Sequence, residues 1–183
     1  MMMRHILLAG VVALGVSAPA DAQGVSADDV ARGFAQSVAL CAKAALRGGS
    51  IGDVAASERQ FISAAPESAR AMAGGAAGPL WQVNDLGGIV IISEPDATQC
   101  NVTACGPRVT STFDQAARLL TNARLGYSET QAAAEPDAIQ RHFHKTIDTG
   151  EASILLDGSE PGMPSHAFRF SLLSAFVTHT SGH

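Results

Sequence analysis

The residues best able to do chemistry are few and scattered. His142-Phe143-His144 is a His-x-His triplet. On a strand, side chains two apart point the same way and stand ~7 Å apart, so both imidazoles could reach one metal ion. His166 could join them if the last strand paired with the strand that carries the other two. His179 and His183 belong to the C-terminal tail, and no carboxylate stands at a diagnostic spacing. The plainer alternative is a polar, solvent-facing side of an edge strand, with Phe143 and Ile147 turned inward. The metal candidates are therefore His142, His144 and His166. No catalytic residue and no cofactor is assigned.

Two further motifs match active-site patterns but sit in the wrong context. Gly48-Gly49-Ser50-Ile51-Gly52 has the G-x-S-x-G spacing of a nucleophile elbow, which needs a strand before the serine and a helix after it. Here a helix precedes it, so Ser50 reads as an N-cap. Asp148-Thr149-Gly150 matches the loop of aspartic proteases, but Glu151 follows it and only 33 residues remain. A hairpin turn accounts for it. Asn101-Val102-Thr103 is a glycosylation sequon in form, read here as ordinary strand sequence.

Cys41, Cys100 and Cys105 are the three cysteines. No Cys-x-x-Cys and no Cys/His zinc spacing occurs, which disfavours redox catalysis and a zinc finger. Cys100 and Cys105 flank Asn-Val-Thr-Ala. As a strand this run holds their Cα atoms ~17 Å apart, too far for a bridge. Alternation places Cys100 with Val102 and Ala104 on the apolar face and Cys105 on the other. Cys41 lies on the apolar stripe of a helix. A Cys41–Cys100 disulfide with Cys105 as the free thiol follows.

The elements that must position these residues can be read from period and punctuation. Ser26 caps a helix running to about Leu46, with Asp28 and Asp29 in its first turn and Gly48-Gly49 ending it. A second helix is expected over Gly52–Ala64. Residues 66–79 read as a flexible connector. Leu80–Val83, Ile89–Ile92 and Gln99–Ala104 read as a three-strand meander. Thr110 or Ser111 caps a third helix that presents Phe113, Ala116, Ala117 and Leu120 and ends at Gly126, with 128–138 a connector or partial helix. Ile139–Ile147, Ala152–Leu156 and Ala167–Val177 read as strands, with Phe168, Phe170 and Leu172 on one face and a frayed tail at 178–183. No internal sequence repeat is visible. The expected fold is α+β: one antiparallel sheet of about five to six strands, with N-terminal helices and one intervening helix packed on it.

The chain has 183 residues, net charge −5, 46% hydrophobic and 16% charged content. The hydrophobic share excludes general disorder. The acidic balance, with no basic stripe, argues against a nucleic-acid partner. At the N-terminus, Arg4-His5 is followed by the apolar run Ile6–Val16 and by Ala20-Asp21-Ala22, a small-x-small cleavage site. This is the pattern of a secretory signal peptide, and the run is shorter than the ~20 residues a spanning helix needs. Residues 1–22 thus read as a signal peptide and 23–183 as a single domain. The address is periplasmic or secreted, with no membrane association after cleavage.

Trp81 … Gly88-Ile89-Val90-Ile91 … Cys100-Asn101-Val102, with a helical Cys41 upstream, resembles a pattern in small exported proteins of Gram-negative alphaproteobacteria. The resemblance spans roughly residues 26–176. It implies a periplasmic address and the Cys41–Cys100 pairing, and no activity; Cys105 departs from the pattern. The expected role is a non-enzymatic binding or accessory module for an envelope or extracellular protein. The alternative is a small hydrolase or metal-binding enzyme using His142 and His144.

Intact-mass measurement on protein secreted from cells tests the leader. The expected species begins at Gln23; a mass that retains residues 1–22 sinks the export reading.

Overall fold

The computed structural model describes residues 24–130, 138–148, 150–163 and 169–181. Residues 1–22, read above as a signal peptide, and His166, Phe168 and His183 lie outside the described residues.

Helix α1 (Ala27–Ala45) forms where its caps require. The Ser26 hydroxyl accepts from the Asp29 N–H at 3.1 Å, and Asp28 and Asp29 occupy the first turn. At the far end Gly48 takes the left-handed conformation (φ 59°), and the Gly49 N–H reaches back to the Ala44 carbonyl.

The second helix is shorter than the sequence pattern indicates. α2 (Ile51–Ala55) has five residues, and strand β1 (Ile62–Ala64) occupies the end of the stretch read as helical. The reason lies outside the stretch itself. The Asn84 side-chain amide donates to the Arg59 and Gln60 carbonyls, and its backbone N–H to the Phe61 carbonyl. These bonds draw the chain into antiparallel pairing with β2 (Leu80–Val83), Ile62 opposite Val83. Residues 66–79, read as a flexible connector, hold a 3-10 turn at Glu67–Ala71. Ala69 packs there against Leu80 and Ile91 in a small second cluster. The Arg70 guanidinium donates to the Ala76 and Gly78 carbonyls, which folds the segment onto itself.

β3 (Val90–Asp96) runs longer than expected, and Asp96 pairs with Gln99 at the turn into β4 (Gln99–Cys105). The Thr98 hydroxyl and backbone N–H both donate to the Asp96 carboxylate and hold it below the ordinary aspartate range. α3 (Val109–Leu120) buries Phe113, Ala116, Ala117 and Leu120, as its stripe predicts. Its first N–H is satisfied from afar: Val109 donates to the Glu160 carboxylate at 2.9 Å, in place of a Thr110 or Ser111 cap. The helix stops at Leu120, six residues before Gly126.

β5 (Ser128–Thr130), β6 (Ile139–Ile147), β7 (Gly150–Ser159) and β8 (Leu172–Ser181) follow. The sheet order is β1-β2-β3-β4-β8-β7-β6-β5, antiparallel throughout. The architecture is thus α+β with one antiparallel sheet, but with eight strands rather than five to six. β1 and β5, three residues each, carry no alternation from which they could be read.

The topology repeats although the sequence does not. A helical segment precedes a four-strand meander twice, and the meanders join where β4 pairs with β8 from Gln99–Thr178 to Cys105–Leu172. β8 starts later than expected. Its inward residues are Leu173, Ala175 and Val177, all buried, while Phe170 lies before the strand and is 44% exposed. The tail read as frayed pairs through Ser181 with β7.

Helices α1 and α3 lie together on the inner face. Phe34 and Phe113 meet with ring centroids 6.1 Å apart. At Gly158 on β7 an added Cβ would stand 2.7 Å from Val109 and 3.1 Å from the Phe113 ring, so this glycine lets α3 sit close on the sheet. Cys41, near the C-terminal end of α1, is bonded to Cys100 on β4, Cα–Cα 5.7 Å, and Cys105 is the free thiol.

This bond closes a loop of sequence separation 59, for which chain entropy gives ~4 kcal/mol. The Cys41→Ala/Cys100→Ala double variant should therefore lose a few kcal/mol in urea unfolding, and Cys105→Ala well under 1. Equal midpoints for the wild type and the double variant would contradict this.

Candidate functional site

The histidine pair lies where the strand register puts it. Phe143 is buried under α3, so His142 and His144 share the opposite, outer face of β6, both half-buried. Thr130 and Leu155 stand opposite His142, and Ser128 and Ser153 opposite His144. They line a shallow depression with Glu151, Phe176 and Thr178. The Nδ1 atom of His144 is buried without a hydrogen-bond partner among the described residues. β6 is flanked by β5 and β7, so it is not an edge strand where it carries the pair. The last strand, β8, pairs with β7 and not with β6, and His166 lies outside the described residues. His179 turns to the other face beside the disulfide. Among the described residues no three of His, Cys, Asp and Glu converge as a metal cage.

Ser50 is a capping residue in the structure. Its hydroxyl accepts from the Asp53 N–H at 3.2 Å, and the Asp53 carboxylate accepts from the Ser50 N–H at 3.2 Å. This reciprocal pair is a capping box. The adjacent Ile51 N–H donates to the buried Glu94 carboxylate at 2.9 Å, which ties α2 to β3. Asp148 lies in the hairpin between β6 and β7, where Ile147 faces Gly150. Asn101 sits on β4, an internal strand.

The strongest ionic cluster is structural. Arg141 donates to Glu129 through Nε (2.6 Å) and Nη2 (2.7 Å), and to Asp114 through Nη1 (2.8 Å). It clamps short β5 to β6 and β6 to α3. The guanidinium holds the Glu129 carboxyl below its ordinary range. Burial alone pushes the Cys105 thiol and the Tyr127 phenol upward, away from reactivity at neutral pH.

No sequence motif marks a groove on the helical face of the protein. The last turns of α1 and α3 converge with the turn before β1. Leu40 and Leu46 of α1, Leu119 of α3, Leu125 and Phe61 form its floor. Lys43, Arg47 and Arg124 stand on its rim against one carboxylate, Glu58, which Lys43 meets at 3.3 Å. Arg47 and Arg124 form no ion pair among the described residues. Cations at helix C-termini offset the dipole, which accounts for one such residue per helix end but not for their meeting over an apolar floor. The loop beneath is fixed: the Asn122 side chain accepts from the Arg124 and Leu125 N–H groups, and Lys145 Nζ donates to the Leu125 carbonyl at 2.6 Å. The groove continues along α1, through Gln36 and Phe61, to a second depression lined by Asp29, Arg32 and Asp85.

Comparison with protein-family models, with curated proteins and with solved structures finds no match to this chain.

The capping geometry gives a direct test of the serine motif. Ser50→Ala should lower stability by about 1 kcal/mol in chemical denaturation, and a fluorophosphonate probe should leave Ser50 unlabelled. Labelling at Ser50 would restore the nucleophile reading.

Proposed function

We propose that the protein is an exported, non-enzymatic binding module that engages an envelope or extracellular protein. The observation that carries this reading is the groove along α1, an apolar floor with a cationic rim on a loop held by side-chain and backbone hydrogen bonds. Rigid, partly apolar concavities with a few placed charges are the usual form of a recognition site. The N-terminal small-x-small pattern and the internal disulfide agree with the exported address. The resemblance to small exported alphaproteobacterial proteins points the same way.

A photoreactive residue placed at Gln36, beside the groove, tests the reading in the exporting cell. One discrete adduct is expected there, and none from the same residue at Thr178 on the outer sheet face. Equal smearing from both positions, or no adduct from either, would overturn it.

A second reading, a metal-binding or small hydrolytic enzyme, rests on His142 and His144 sharing one face and on the unpartnered Nδ1 of His144. It requires stoichiometric zinc uptake that is lost in His142→Ala/His144→Ala. Calorimetry without a saturable zinc isotherm removes it.

A further inference from the structure

The groove has a length and a polarity that its floor alone does not explain. The residues that line it or its continuation include Asp29, Arg32, Gln36, Leu40 and Lys43 of α1 and, just past the end of the helix, Arg47. They recur every three or four residues, so they form one stripe along the helix. The stripe covers ~27 Å at 1.5 Å per residue. Charge is graded along it. At the α1 N-terminal end stand Asp29, already paired with Arg32, and the exposed Asp85. At the C-terminal end stand Lys43, Arg47 and Arg124 against Glu58. At that end the exposed Arg47 and Arg124 form no ion pair among the described residues, so the apolar channel closes on uncompensated positive charge.

A small anionic ligand would use one end only. A rod whose own charge is graded uses both. The geometry points to an amphipathic helix of the partner protein, lying along α1 with an apolar stripe on Leu40, Leu46, Phe61, Leu119 and Leu125, and with acidic side chains facing Arg47 and Arg124. This inference rests on the binding-module reading and names the partner's chemistry. Two helices side by side offer a groove into which the ridge of a third packs, and helix-in-groove recognition reads anchors at i, i+3, i+4 and i+7. The fixed 121–126 loop keeps Arg124 and Leu125 in place before binding, so little ordering is required of the receptor.

A display library of helical peptides, with a constant apolar stripe and random charges at both ends, tests it on the purified mature chain. Selected peptides should carry Asp or Glu at one end. They should lose at least tenfold in affinity to Arg47→Glu/Arg124→Glu, and should regain it when their acids are changed to Lys. Both substitutions are on exposed side chains without ion-pair partners, and circular dichroism confirms that the variant is folded. Leu119→Asp should abolish binding to every selected peptide. Selection of no helical peptide, of peptides indifferent to the charge reversal, or of basic peptides would overturn the inference. So would saturable binding of palmitate, or of phosphatidylglycerol vesicles, that displaces the peptides and falls with the same charge reversal. Peptide binding without a cellular adduct at Gln36 would count against the exported-module reading alone. An adduct at Gln36 without peptide binding would count against the helical partner alone.

Discussion

The bond between Cys41 and Cys100 fixes the relation between the two layers of this protein. It joins the C-terminal part of α1 to β4, and β4 is the strand on which the first meander meets the second. Helix α1 is rich in alanine, so its buried face offers few large side chains beyond Phe34, Val38 and Leu40. Burial stabilises roughly in proportion to apolar area, and such a helix gains less per turn than a leucine-rich one. A covalent tie near its C-terminal end compensates, and it sets which face of α1 looks inward. Gln36, Lys43 and Arg47 are thereby turned outward beside α3, with Leu40 buried at the border of the core. The groove is the complement of the disulfide: one face of the helix is bound to the sheet, and the next is left open.

That tie was readable because both of its ends lie in strongly periodic segments. Cys41 falls on a 3.6-residue stripe closed by a serine cap and a left-handed glycine. Cys100 falls on a strand whose alternation is unbroken from Gln99 to Cys105. The α+β class and the placement of α3 were legible for the same reason. What failed was decided by tertiary contacts. Asn84, twenty-odd residues downstream, holds 59–61 in a turn and so draws Ile62–Ala64 into a strand. Glu160, more than forty residues beyond the helix start, supplies the cap that Thr110 and Ser111 were expected to give. β5 is three exposed residues clamped by Arg141 through Glu129, and nothing in Ser-Glu-Thr marks a strand. In β8 the aromatic run Phe168–Phe170 drew the strand too early. The core takes Leu173, Ala175 and Val177 instead, which leaves Phe176 on the outer face, 41% exposed.

The candidate chemistry was legible in a different and narrower sense. Strand parity placed His142 and His144 on one face correctly, because side-chain direction in a strand is a local property. Convergence is not local. It depends on which strands are neighbours, and a sequence does not show that β7 stands between β6 and β8. The groove escaped a motif search for the opposite reason. Its residues are ordinary ones, leucines and arginines drawn from two helix ends and a turn. The available signal was Lys43, Leu46 and Arg47 together at the end of an otherwise small-residue helix, where Leu46 is only partly covered by the core.

Ser50 shows why spacing alone is a poor guide to chemistry in this chain. A nucleophile needs a base to take its proton and an oxygen lone pair free to attack. Here the Ser50 oxygen already accepts the Asp53 N–H, and the Asp53 carboxylate is spent on the Ser50 backbone. The same G-x-S-x-G letters therefore start a five-residue helix that lies over Trp81 and is tied to β3 by Glu94. Glu94 in turn lines the crevice beside the Cys41–Cys100 bond, together with Ile51. Groups that could have been reactive are thus spent on holding α2 against the Cys41–Cys100 bond.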